Sequence, residues 1–171
     1  TVYEMPTVDS SSGDSICFSG TGTLSATTSS GSINWYDVPT GGISLSSVSS
    51  FTTPEVFITT TYYVEASTLY CTSARTPVEL IVQTPTAPLG DTNQYYCEKD
   101  NATTSDLNTN MSANIQWYNA ATGGTVYTGI ESLVDGQVYY ASQSDGLCES
   151  QDRLEVLVTI YNSVTPLPAS N

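Results

Sequence analysis

The sequence predicts an all-β chain folded as two tandem β-sandwiches, and three observations carry that expectation. Short apolar runs are broken by Gly, Ser, Asn and Asp clusters, and no long stretch spaces its apolar residues as a helix would. The only two tryptophans lie in matching pentads, Ile33-Asn34-Trp35-Tyr36-Asp37 and Ile115-Gln116-Trp117-Tyr118-Asn119, each followed by Thr-Gly-Gly. Other landmarks recur at a similar period: Trp35 and Trp117 are 82 residues apart, Cys17 and Cys97 are 80 apart, and Tyr62 and Tyr139 are 77 apart. A repeat of about 80 residues is large enough for a small sandwich with a modest core. The expected domains are therefore residues 1–84 and 85–171, with a Pro-containing linker at 84–90 and a C-terminal linker from about residue 162.

Taken in order, residues 1–12 read as a linker entering the first unit, and Cys17 opens the first strand region. Thr23-Leu24-Ser25-Ala26-Thr27 alternates as a strand does. Ser32 to Val38 is the tryptophan strand, with Ile33 and Trp35 facing inward and Asn34 and Tyr36 outward, since strand side chains alternate. The indole brings a large apolar area and one N–H that needs an acceptor. Thr40-Gly41-Gly42 turns the chain, Ile43 to Phe51 forms weak edge strands, and Thr53-Pro54 breaks them. Thr59 to Ala66 is the strongest strand, with Tyr62, Val64 and Ala66 on one face and Tyr63 and Glu65 on the other. Val78 to Val82 closes the unit.

Thr84-Pro85-Thr86-Ala87-Pro88 favours an extended spacer. Pro6, Pro85 and Pro166 recur at spacings of 79 and 81, so the linker is repeated too, and the chain reads as a piece of a longer array. The second unit repeats the programme. Ser112 to Asn119 is its tryptophan strand, Gly129 to Leu133 an edge, Gln137 to Ser142 the Tyr-pair strand, and Leu154 to Ile160 the closing strand. Trp35, Trp117, Tyr62 and Tyr139 are the expected core anchors. Val64 becomes Ala141, so the two cores cannot pack identically. Arg75 and Arg153 follow their cysteines by four and five residues, which suggests a local carboxylate partner, Glu65 in the first unit.

Four cysteines fall two per repeat, and three pairings are formally possible. If each unit is self-sufficient the pairs are Cys17–Cys71 and Cys97–Cys148, closing loops worth about 4 kcal/mol each. A four-thiolate metal site is disfavoured by the lack of close C-x-x-C spacing and of any histidine. Disulfides imply an oxidising, extracellular location.

The net charge is −14, with only Arg75, Lys99 and Arg153 positive. Such a surface repels phosphate backbones and anionic lipid, so no nucleic acid and no membrane insertion are expected. The 17 acids share no spacing, and with no histidine and one lysine a nucleophilic triad or carboxylate pair is not expected. Asp91, Glu98, Asp100 and Asp106 come closest to a calcium set, but without a D-x-D-x-D-G run plain surface acids are preferred and no cofactor is expected. Tyr63 and Tyr140 are the candidate glycan platform, against the commoner reading of structural cross-strand tyrosines.

The pattern resembles the CHU_C-associated Ig-like repeats of large Bacteroidota surface proteins secreted by the type IX route. The resemblance rests on Cys17, Trp35-Tyr36 with Thr40-Gly41-Gly42, Thr60-Thr61-Tyr62-Tyr63-Val64, Cys71-Thr72-Ser73-Ala74-Arg75 and Val78 to Val82. The second copy departs at Val138-Tyr139-Tyr140-Ala141 and carries one insertion before Arg153. Asp14-Ser15-Ile16 is similar to the O-glycosylation acceptor of those bacteria. The resemblance implies an all-β fold of two tandem Ig-like β-sandwich domains, which we expect to carry one intradomain disulfide each. It implies a structural or adhesive repeat on a Gram-negative cell surface, as in gliding adhesins, with no catalytic residues. The partners expected are neighbouring repeats and surface polysaccharide. The rival expectation is a carbohydrate-binding accessory pair on a secreted enzyme. Bridges placed this way would staple an end of each sandwich, away from Trp35.

Overall fold

A computed structural model describes residues 2–111 and 114–162, and the chain divides into two compact units, Thr1–Thr84 and Pro85–Asn171. The expected linker around Pro166 and the first two residues of the second tryptophan strand, Ser112 and Ala113, lie outside the described residues.

Unit 1 has seven strands: β1 (Ser10–Ser12), β2 (Asp14–Cys17), β3 (Thr23–Thr27), β4 (Ser32–Tyr36), β5 (Ser50–Thr52), β6 (Thr60–Ser67) and β7 (Thr76–Gln83). They form a three-stranded sheet, β1-β3-β5, and a four-stranded sheet, β2-β7-β6-β4. Alternation decides what faces inward. Leu24 and Ala26 of β3, Ile33 and Trp35 of β4, Tyr62 and Val64 of β6, and Val78 and Leu80 of β7 share one core with Phe51. Trp35 is fully buried, and its indole N–H donates to the Val48 carbonyl at 2.9 Å. The polar end of the ring is thus satisfied by the loop that leads to the opposite sheet.

Residues 1–12 are not simply a linker. Pro6 is fully buried and Val8 packs against the core, and β1 pairs antiparallel with β3. The chain then changes sheets, because β2 pairs parallel with β7. Gly13 makes the switch, since a Cβ there would run into the Glu79 carbonyl oxygen. Cys17 therefore ends a strand, and does not open one.

Unit 2 keeps the four-stranded sheet and loses most of the other. Strands β8 (Asn93–Cys97), β9 (Asn114–Tyr118), β10 (Val138–Ser144) and β11 (Leu154–Tyr161) pair in the order β8-β11-β10-β9, with β8 again parallel to β11. Leu107, Trp117, Leu133, Tyr139, Ala141, Val156 and Val158 form its core. Thr104–Asp106 is a 3-10 turn in the region where unit 1 has β3. Here Asp106 accepts the Thr103 backbone N–H at 2.7 Å and so closes a capping box. A side chain that binds its own backbone competes with a sheet ladder. Among the described residues the second sheet of this unit is reduced to the isolated bridge Thr103↔Ser132.

The expected disulfides are corrected. Cys71 and Cys97 are free, so neither Cys17–Cys71 nor Cys97–Cys148 forms, and Cys17 and Cys148 are the disulfide-bonded cysteines. The reason lies in the parallel strands. Cys17 is in register with Gln83 at the end of β7, whereas Cys71 lies in the turn before Thr76 at its start. The intervening strand is about 23 Å long at about 3.3 Å per residue, against a Cα separation of about 7 Å at most for a disulfide. Unit 2 is built the same way: Cys97 faces Tyr161 at the end of β11, and Cys148 precedes Leu154 at its start. Each unit thus carries one cysteine at the pole where the chain arrives and one at the pole where it departs.

Candidate functional site

The most organised polar group in each unit is built on the tyrosine that follows the tryptophan. Tyr36 points to the outer face of β4, and the Arg75 guanidinium carbon lies 3.3 Å from its ring centroid. Arg75 Nε pairs with Glu65 Oε2 at 3.2 Å, and the two side chains are only 10% and 13% exposed. Arg75 Nη1 donates to the Val38 carbonyl at 2.6 Å, and the Tyr36 hydroxyl donates to Glu65 Oε1 at 2.8 Å. One arginine therefore ties β4, the turn after β4, β6 and β7 together. The phenol is pushed above its ordinary pKa, first by burial and then by its hydrogen bond to the Glu65 carboxylate. It stays a neutral donor.

Unit 2 reproduces this lock with different wiring. Arg153 lies 3.4 Å over the Tyr118 ring and donates to the carbonyls of Ala120 at 2.6 Å and Gly123 at 2.8 Å. The position of Glu65 is taken by Ser142, so the carboxylate must come from elsewhere. Glu149, in the cysteine turn, supplies it: Glu149 Oε1 accepts from the Tyr118 hydroxyl at 2.7 Å and from the Ser142 hydroxyl at 2.6 Å. Burial alone would raise the Glu149 pKa, but the Ser142 and Tyr118 hydrogen bonds and the charge of Arg153 outweigh it and lower it. Sequence reading paired Arg75 with Glu65 and missed Glu149. The signal was present, because the only acid lost from the β6-equivalent strand reappears one residue after Cys148.

The lock also explains why the Thr-Gly-Gly turn travels with the arginine. In unit 2 the turn offers the Gly123 carbonyl to the guanidinium, in unit 1 the arginine holds Val38 just before the turn, and the glycines of both turns hold positive φ: Gly41 and Gly42 at 66° and 75°, Gly123 and Gly124 at 60° and 75°. These are joints of the scaffold, and none of these groups presents a nucleophile beside a base.

The other candidate residues fall as follows. Tyr63 and Tyr140 are half-buried, in register with Tyr36 and Tyr118 respectively. Asp106 is occupied by Thr103, and Glu98 and Asp100 lie together on a 3-10 turn while Asp91 lines a shallow hollow with Gln94, Tyr95 and Asn108. Among the described residues no three acids, cysteines or histidines come close enough to hold a metal ion. Asp14 accepts the backbone N–H groups of Ser15 and Thr23, each at 2.8 Å, so it fastens β2 to β3. Among the described residues no helix is long and apolar enough to cross a membrane.

Unit 2 has one further feature that the sequence did not reveal. The loss of its second sheet leaves a cleft of about 430 Å³ beside the tryptophan strand, lined by Thr104, Ser105, Ile115, Trp117, Tyr127 and Thr128 among others. Glu131 fastens together three of the residues that line it, Thr104, Thr128 and Gly129. Its carboxylate accepts from the Thr128 hydroxyl at 2.7 Å, the Thr128 and Gly129 amides, and the Thr104 hydroxyl at 2.8 Å. Those bonds, the Thr128 pair foremost, hold its pKa down from 4.5 to about 2.

A parallel first strand, an antiparallel three-stranded remainder and a tryptophan on the edge strand of that sheet define each unit as an Ig-like domain. The chain belongs to the family described as "Ig-like domain CHU_C associated", whose model matches residues 4–83 and again 85–161. No curated protein matches the chain. Two solved structures are similar over nearly all of it. Sidekick-1 immunoglobulin domains 1–4 match at 16% identity and a TM-score of 0.43, covering 95% of this chain and 51% of that one. The insect immune protein hemolin matches at 14% identity and a TM-score of 0.39, covering 94% and 48%. This chain spans about half the length of either.

Proposed function

We propose that the two units are a structural and adhesive repeat module of a large bacterial cell-surface adhesin, a stalk or filament of the kind used in gliding motility and exported by the type IX route. The observation that carries this reading is close tandem repetition. Two family matches end at 83 and begin again at 85, with a single residue between them, and each covers a unit with its own closed core and its own arginine lock. The net charge of −14 supports spacing, since like-charged copies repel. The mechanism is mechanical: the locks brace each unit at the pole where the chain arrives, and the linkers set reach.

The test is replacement in the parent gene. Deleting both units should shorten the surface structure and weaken attachment. An unrelated two-domain spacer of equal length should restore it. Failure of the spacer would instead mean that these units carry the binding surface themselves.

The cleft beside Trp117 favours a second reading, carbohydrate binding by an accessory pair on a secreted enzyme. Apolar floors with a few convergent polar groups are the usual form of small-ligand sites. Saturable binding on a glycan array, lost on Tyr127→Ala, would support it. Loss on Tyr63→Ala or Tyr140→Ala would place the platform on the sheet face.

A further inference from the structure

The loop that follows the tryptophan has one length in both units, since Phe51 and Leu133 each lie 16 residues after it. The two loops are wired differently. In unit 1 both N–H groups of Trp35 are spent on the loop: the backbone N–H donates to the Ser46 carbonyl at 2.8 Å and the indole N–H to the Val48 carbonyl at 2.9 Å. In unit 2 the Tyr127 N–H still returns to the Trp117 carbonyl at 2.8 Å, as Leu45 does to Trp35 at 2.7 Å. Among the described residues, however, neither N–H of Trp117 donates to the loop, and the indole N–H has no acceptor. Trp117 is only 9% exposed, and a polar group buried to that degree is normally paired. Its nitrogen is not sealed in, because Gln143 Oε1 is the one buried side-chain polar atom left unpaired among the described residues. Trp117 also lines the cleft of unit 2, so an unspent donor stands in the cleft wall.

One side chain accounts for the difference. Glu131 occupies the place of Ser49, 82 residues on. Its carboxylate accepts the Thr128 and Gly129 amides at 3.0 and 3.1 Å and the Thr104 hydroxyl at 2.8 Å. The loop carbonyls follow: Gly129 accepts from the Ser105 amide at 3.2 Å and Glu131 from the Thr104 amide at 2.8 Å. The turn is thus fastened to the 3-10 segment, and the carbonyls equivalent to Ser46 and Val48 are drawn off Trp117. Tyr127 stands where unit 1 has Leu45. Its ring leans on Tyr139 at 5.3 Å between centroids, and its hydroxyl accepts from Gln137 Nε2 at 2.8 Å, which leaves the phenol proton to donate.

We propose that Trp117, Tyr127 and the turn held by Glu131 form a site for one neutral sugar ring of a glycan, with the indole N–H donating to a sugar oxygen and the Tyr127 ring covering the apolar C–H face. The unspent groups are donors, so the ligand brings acceptors. Among the described residues the lining holds no cation, and the net charge is −14, so uronic acids and phosphorylated sugars are repelled. The volume of about 430 Å³ lies within the about 300–1,000 Å³ usual for small-ligand sites. Glu131 is a positioning residue, since its hydrogen bonds are spent on the turn and on Thr104. The proposal rests on the carbohydrate reading of the cleft given above; it adds the anchoring donor, and it denies the same site to unit 1, where Val48 already occupies the indole.

The test reads the indole N–H signals of the isotope-labelled intact chain by NMR, with Trp35 as the internal control. Without ligand, the Trp117 indole hydrogen should exchange with water at least about tenfold faster than that of Trp35. Cellotriose, maltotriose, tri-N-acetylchitotriose and trigalacturonic acid are then titrated at millimolar concentration. At least one neutral trisaccharide should shift the Trp117 signal saturably and leave Trp35 unmoved, and trigalacturonic acid should shift neither. Tyr127→Leu should weaken binding about tenfold. Glu131→Ser should let the turn return to Trp117, so that binding is lost while Trp117 exchange slows toward that of Trp35; a variant merely destabilised would exchange faster. Glu131→Gln, which can still accept from the turn, should keep most of the affinity. No shift with any neutral trisaccharide, equal shifts at both indoles, or a larger shift with trigalacturonic acid would overturn the proposal. Binding on a glycan array with the Trp117 signal unmoved would overturn it and leave the carbohydrate reading standing, whereas an array without binding would remove both.

Discussion

The arginine lock makes a prediction that can be worked from the structure. Unit 1 carries its carboxylate on β6 as Glu65, whereas unit 2 carries a serine there and brings Glu149 from the cysteine turn. Thr72 occupies in unit 1 the place of Glu149, and the two turns share a register, with bridges Ser67↔Thr72 and Ser144↔Glu149. Glu65→Ser should leave Arg75 with only the Val38 carbonyl and the Tyr36 ring. Breaking a buried pair costs about 3–5 kcal/mol, and an exposed one about 0–1. With side chains 10% and 13% exposed but two other contacts retained, the expected loss is about 2–3 kcal/mol. Adding Thr72→Glu installs the unit 2 wiring and should bring stability back to within about 1 kcal/mol of the wild type. Thr72→Glu alone places two carboxylates in one site and should gain nothing. Urea unfolding followed by tryptophan fluorescence, with hydrogen exchange on β6 to assign the change to unit 1, compares the three variants with the wild type. A loss below about 0.5 kcal/mol for Glu65→Ser, or strict additivity in the double variant, would refute the lock.

Two further outcomes follow from the same structure. Glu131 is held at about 2 against 4.5 when free, so unit 2 should be fully stabilised by it above pH 4.5 and should lose that contribution as pH falls toward 2; urea midpoints from pH 2 to 6 should slope in the wild type and flatten in Glu131→Gln. Gly13→Ala should cost about 1–3 kcal/mol by forcing β2 away from Glu79, with faster hydrogen exchange in β2 and β7 and little change in β4.

Much of the fold was legible from residue patterns. The pentads gave the domain count, and alternation placed Ile33, Trp35, Tyr62 and Val64 on the faces that are buried. Arg75 could be matched to Glu65 because cations are so few. What could not be read is long-range pairing. Nothing in Asp14–Cys17 says that the strand runs parallel to β7, and that one fact puts Cys17 and Cys71 at opposite poles. Assigning a bridge within each unit assumed that self-sufficient units close on themselves, and β-strand polarity overrode it. Residues 6–12 looked like linker because Ser10-Ser11-Ser12-Gly13 is turn-like in composition. Pairing with β3 made a strand of them, since an edge strand needs backbone partners more than apolar side chains. The cleft in unit 2 was equally hidden, because it follows from Asp106 capping Thr103 and so removing a strand.

The placement of the thiols follows directly from the parallel strands β2 and β8. Free thiols should be labelled on the native protein, the remaining cysteines reduced and labelled differently, and each site read by mass spectrometry. The structure predicts the first label on Cys71 and Cys97 and the second on Cys17 and Cys148. A Cys17–Cys71 or Cys97–Cys148 peptide in a non-reduced digest would contradict it, and with it the parallel pairing of β2 with β7 and of β8 with β11 that sets the two cysteines of each unit at opposite poles.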